Sequence, residues 1–161
     1  MPQTVPDTSD RPSAFPWPPL LLVGLIAGAV ILGRVSPLPW PGLDDPPARA
    51  IGLGLGLAGV ILLIVSILAL RQAGTTLRPD AGASALVTSG PFRRFRNPIY
   101  LADCLIFLGL AELTKNLWLV AAAAVFGILV TWLAILPEER YLERRFGAAY
   151  LDYKAKSRRW I

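Results

Sequence analysis

Apolar residues run from Leu20 to about Gly33, from Ile51 to Leu70, from Ile99 to Leu113 and from Leu117 to Leu136, with polar or Pro-rich segments between them. Crossing a hydrocarbon core about 30 Å thick takes about 20 helical residues, because a helix satisfies its backbone N–H and C=O groups internally. The second and fourth stretches reach that length without a charge, and Arg71, Lys115 and Glu138 bound them. The first is short unless Trp17 and Leu38 extend it. The third holds Asp103 and Glu112 and spans only with tilt or local thinning. Glu112-Leu113-Thr114-Lys115-Asn116 is a short polar break, so the third and fourth helices are expected to be antiparallel neighbours. The pattern predicts an all-α fold, an integral membrane helical bundle of about four transmembrane helices. After the fourth stretch, Leu142, Phe146, Ala149 or Tyr150, and Tyr153 recur at helical spacing among Arg, Lys and Glu. This predicts a C-terminal cytosolic amphipathic helix lying on the membrane surface.

Residues 1–19 are Pro-rich, contain Asp7 and Asp10, and lack the basic start and small-residue cleavage site of a secretory signal. They read as a disordered cytosolic tail, leaving residues 20–161 as one membrane domain. If the N-terminus, the loop from Arg71 to Asn97 and the C-terminus share one side, that side holds 13 of the 16 Lys and Arg residues. Arg34, Arg49 and Lys115 remain opposite. The positive-inside rule then makes both termini cytosolic, and the expected location is a bacterial inner membrane. Because the basic residues flank apolar runs, the net charge of +5 reflects topology, and no nucleic-acid partner is expected. Membrane lipids are the expected surroundings. Gly52, Gly54, Gly56 and Gly59 lie inside an apolar helix, where small residues let helices approach closely; a phosphate-binding glycine loop needs a strand before it. Trp17, Trp40, Trp118 and Trp160 stand near predicted span ends, as interfacial anchors do.

The chain has no histidine and one cysteine, Cys104. That excludes His-dependent zinc, haem and nucleophile arrangements, as well as an intrachain disulfide, and no metal is expected. Two polar segments carry the remaining chemistry. In the first, Gly90-Pro91 signals a turn, and Asn97-Pro98 sets an N-cap before a helix. Arg96 beside that helix start suits a carboxylate or phosphate, although Arg93, Arg94 and Arg96 also fit as headgroup-level topology charges. In the second segment, Glu138-Glu139 follows the fourth span. Paired carboxylates at a membrane boundary require a cationic or hydrogen-bonding partner, which Arg140, Arg144 or Arg145 can supply structurally. Asp103, one turn from Tyr100 and about 7 Å inside the helix start, is costly in a bilayer; it either serves function, pairs with Arg96 or meets an interfacial cavity.

Leu86-Val87-Thr88-Ser89-Gly90-Pro91-Phe92, Arg96-Asn97-Pro98-Ile99-Tyr100, the hairpin, Glu138-Glu139, and Phe146-Gly147 followed by Tyr150 and Tyr153 occur in that order. Over about half of the chain, this combination resembles the isoprenylcysteine carboxyl methyltransferase and phosphatidylethanolamine methyltransferase superfamily. The resemblance implies S-adenosylmethionine as cofactor and methyl transfer to an amphiphilic or lipid-like acceptor that arrives from the bilayer. It also implies that Leu86, Val87, Phe92, Asn97, Tyr100 and one or both of Glu138 and Glu139 surround the cofactor, with Arg96 and Tyr100 as the catalytic candidates. Many members have His where Asn97 stands, and Asn cannot titrate. The eukaryotic isoprenylcysteine enzymes place an Arg near the position of Ala134, so a prenylcysteine substrate is disfavoured. Tyr100-Leu101-Ala102-Asp103 also resembles nicotinamide-dependent membrane sterol reductases, the enzymatic alternative, while a non-catalytic lipid-binding protein is the alternative of another class.

Overall fold

Proline opens the helices of this bundle. Its missing N–H costs nothing in a first helical turn, where no intrahelical partner exists. In the computed structural model, which describes residues 17–41, 46–74 and 85–161, α1 spans Trp17–Val35, α2 Pro46–Gln72 and α3 Pro98–Thr114. The tail before Trp17, with Arg11, and the loop residue Arg78 lie outside the described residues. Trp17, Pro18 and Pro19, which hydropathy leaves in the tail, form the first turn of α1.

α4, Leu117–Val130, continues through a π-helical segment, Thr131–Ile135, into α5, Leu136–Phe146. Pro137 has no N–H to offer the preceding turn, and immediately before it Leu136 N–H reaches back five residues to the Thr131 carbonyl. Among the described residues, three helical runs are long and apolar enough to cross a membrane: Trp17–Val35, Pro46–Gln72 and Leu117–Phe146. At 17 residues and about 1.5 Å per residue, α3 falls short of the hydrocarbon thickness. It is nevertheless the fourth arm of the bundle, joining the same two ends as its neighbours.

Close contacts fix the order of the arms. Gly52 of α2 lies against Glu112 near the end of α3, and Gly59 against Ala102 near its start, so α2 and α3 are antiparallel. A Cβ on Gly109 would fall 2.4 Å from the Gly56 Cα, whereas Gly54 meets nothing. Without a hydrophobic drive between helices in lipid, such backbone approach supplies the packing. Gly109→Ala is therefore expected to push α2 and α3 apart and destabilise the protein by about 1–3 kcal/mol, measurable by thermal unfolding in detergent. An unchanged midpoint would show that the contact is dispensable.

α3 and α4 meet through Phe107 and Phe126, whose ring centroids are 5.7 Å apart. At the hairpin, Lys115 adopts a left-handed φ of 51°, and Asn116 caps α4 by accepting the Trp118 N–H. The Asn116 amide also donates to the Ala29 carbonyl at 2.8 Å, and Trp118 Nε1 to the Ser36 carbonyl at 2.8 Å, tying the end of α1 to the start of α4. Glu112 is buried there and paired with Lys115, which accounts for one of the two acids in α3.

The single amphipathic helix expected after the fourth span is two. Gly147, at φ 51°, ends α5, and α6 follows over Ala148–Lys156. An L side chain rarely adopts that backbone, so glycine sets the corner. The corner directs the C-terminal segment back to the strand-like residues before α3, where Arg96 N–H donates to the Arg158 carbonyl at 2.7 Å and Arg158 N–H to the Arg94 carbonyl at 2.9 Å. The two polar segments thus share one end of the bundle, together with the start of α1 and the end of α2.

Candidate active site

At that end, the neighbouring glutamates have different environments. Glu139 is 5% exposed and held from two sides. Arg96 Nε donates to Oε1 at 3.1 Å, while Arg159 donates to Oε1 through Nε at 3.1 Å and to Oε2 through Nη2 at 2.7 Å. Arg96 Nη1 also donates to the carbonyls of Lys154 and Ser157, at 3.1 and 2.6 Å. These carbonyls lie at the C-terminal end of α6, where a helix favours positive charge. The hydrogen bonds that Arg159 donates to Glu139 hold its guanidinium even more firmly protonated than usual. Tyr153 Oη donates to the Phe92 carbonyl at 2.6 Å, closing α6 onto the 3-10 turn Gly90–Arg93.

Glu138 is exposed and accepts no hydrogen bond from a described residue. It lies within electrostatic reach of Tyr100, as does Asp103, so the starts of α3 and α5 lie at the same end of the bundle. Tyr141, one turn along α5 from Glu138, is 2% exposed, and its hydroxyl has no hydrogen-bond partner among the described residues. Tyr150 is also buried, with its ring 6.0 Å from that of Tyr153. Burial, reinforced by Glu139, pushes the Tyr150 phenol above the ordinary range.

Of the candidate residues, Tyr100 and Glu138 lie within electrostatic reach of each other, whereas Arg96, Asn97 and Glu139 are already bonded within the protein. Asn97 occupies the N-cap position of α3 without a capping bond. Its amide instead donates to the Arg159 carbonyl at 3.1 Å. Phe92 is half-buried in its turn, and Leu86 and Val87 run half-buried just before it. Arg96 engages Glu139 and not Asp103, so the Asp103–Arg96 pair left open by the sequence is absent. Nor do Arg140, Arg144 and Arg145 pair with either glutamate; Glu139 is neutralised by Arg96 and by Arg159, the latter from 20 residues away. Helical spacing favours local partners, and no pattern in the sequence marks a cation beyond α6 as the one that returns. Tyr141 was equally hidden, since an aromatic residue at a span end reads as an anchor.

Residues 47–149 match the phospholipid methyltransferase family, a stretch containing Tyr100, Asp103, Glu138 and Glu139. The chain belongs to this family. Human phosphatidylethanolamine N-methyltransferase is 36% identical to this phospholipid methyltransferase family member over 96 residues, covering 58% of this chain and 44% of the human protein. The chain therefore spans less than half the length of that relative. No solved structure matches it. α1 and Arg159 lie outside the matched stretch, so half of the clasp on Glu139 comes from beyond it.

Proposed function

We propose that the protein is an S-adenosylmethionine-dependent methyltransferase acting on an amphiphilic, lipid-like acceptor at the cytosolic membrane surface. The observation that carries this reading is Glu138, an open carboxylate beside Tyr100 in a family member whose other site glutamate is bound by two arginines. A carboxylate in that position suits the cofactor's ammonium or ribose hydroxyls through charge-assisted hydrogen bonds. Arg96 is committed to Glu139, which leaves the first-turn N–H groups of α3, or exposed Arg93 and Arg94, to meet the cofactor's carboxylate. Leu86, Val87, Phe92 and Asn97 belong to the surrounding wall. In this arrangement Arg96 positions the site, and Tyr100 is the residue nearest the reacting groups.

The bound cofactor supplies a methyl group on a positively charged sulfur. The protein's tasks are to align an acceptor atom, exclude water and manage the acceptor's proton. The human relative is by name an N-methyltransferase of phosphatidylethanolamine, so a headgroup nitrogen is the acceptor atom read here. Family membership favours this reading over a nicotinamide-dependent reductase or a non-catalytic lipid-binding protein. The purified protein in lipid nanodiscs is expected to bind S-adenosylmethionine and to transfer labelled methyl to aminophospholipids, with little transfer to short water-soluble amines. Failure to bind the cofactor, or transfer confined to soluble acceptors, would overturn the proposal.

A further inference from the structure

Three acidic side chains are buried among the described residues: Asp103, Glu112 and Glu139. Glu112 is paired with Lys115 at the far end of the bundle, and Glu139 with Arg96 and Arg159. Asp103 is 9% exposed and has no hydrogen-bond or ion-pair partner among the described residues. The charged or titratable groups that interact with it are Tyr100, which also faces Glu138, and Cys104, the next residue. A buried acid in a membrane helix is costly, and among the described residues no cation offsets that cost. Tyr141, whose buried hydroxyl also has no hydrogen-bond partner among the described residues, stands one turn along α5 from Glu138, which is within electrostatic reach of Tyr100. Unpaired buried groups of this kind require an external partner, and beside an acid the fitting partner is cationic.

We propose that Asp103 binds the ammonium headgroup of the acceptor and takes its proton. This rests on the methyltransferase reading above. An alkylammonium has a pKa near 10, so at neutral pH almost all of the acceptor arrives protonated, with no lone pair to donate. One N–H bond breaks, and the proton passes to the Asp103 carboxylate to form the carboxylic acid. The freed nitrogen lone pair then forms the N–C bond to the methyl carbon as the S–C bond breaks. The S–C electron pair stays on sulfur, converting the sulfonium to a neutral thioether. The product is a methylammonium, and Asp103 returns its proton to water. The depth of Asp103, about 7 Å below the start of α3, suits a headgroup drawn in from the interface.

Asp103→Asn in nanodiscs tests the assignment, with Cys104→Ala as the neighbouring control. The expected result is parental S-adenosylmethionine affinity and an approximately 100-fold lower methyl-transfer kcat at pH 7, a deficit that shrinks towards pH 9.5 as free amine becomes available. Without cofactor, the variant should also bind a short-chain aminoethyl phospholipid about 10-fold more weakly, while Cys104→Ala matches the parent. Parental kcat and acceptor affinity in Asp103→Asn would overturn the proposal. So would a deficit that stays constant with pH. If Asp103→Asn does not insert, Asp103→Ala takes its place; if neither variant folds with parental cofactor affinity, Asp103 is structural and the inference fails. A parent that binds no cofactor would instead overturn the methyltransferase reading.

Discussion

Glu139→Gln is expected to release the C-terminal segment and destabilise the protein by about 3–5 kcal/mol, because it leaves two guanidinium groups without their carboxylate. The cost lies mainly with Arg96, whose side chain is 10% exposed; that of Arg159 is 37% exposed and can turn to water. Gln preserves the size and one accepting oxygen, so the loss reports charge. Thermal unfolding in detergent should show a lowered midpoint, and proteolysis should cut earlier at Lys154, Lys156 and Arg158. Any loss of cofactor affinity should follow the fraction of clasped protein and recover on cooling. A stable Glu139→Gln protein with a selectively weakened cofactor site would reverse the assignment and make Glu139 the contact.

Glu138→Gln is expected to do the opposite. The carboxylate is exposed and accepts no hydrogen bond from a described residue, so the midpoint should stay with the parent. Removal of its charge should weaken S-adenosylmethionine binding by about 1.5–3 kcal/mol, roughly one to two decades in affinity, as for loss of one charge-assisted hydrogen bond. Calorimetry on folded protein decides the matter, with Glu143→Gln as a control because Glu143 pairs with Lys154 on α6. Parental affinity in Glu138→Gln would remove this side chain from the cofactor site. Together the two variants separate the glutamates by opposite readouts, one in stability and the other in binding.

The helical bundle was legible because lipid leaves few solutions. Apolar runs of sufficient length must be helices, polar breaks must be turns, and prolines can sit without penalty only at helix starts. The glycines of α2 announced a close contact, although the pattern did not distinguish Gly56, which touches Gly109, from Gly54, which touches nothing. The corner at Gly147 was missed because the apolar spacing from Leu142 to Tyr153 reads smoothly through it, while a single positive φ breaks the helix.

By itself, the sequence determined the membrane class, the antiparallel hairpin and the two polar segments that carry the chemistry, since hydropathy, turn residues and residue type act over neighbouring positions. Only the tertiary structure decided which charges are committed. Glu138 and Glu139 are adjacent and chemically identical, yet a helix turns about 100° between them, so Glu139 meets Arg96 and the returning Arg159 while Glu138 stays exposed. Arg96 was likewise claimed by Glu139 and by carbonyls of the C-terminal segment, and that left Asp103 buried without a cation among the described residues. These assignments depend on contacts between residues 20 to 62 positions apart, and the energy of an ion pair depends on distance and burial, which local sequence patterns do not encode.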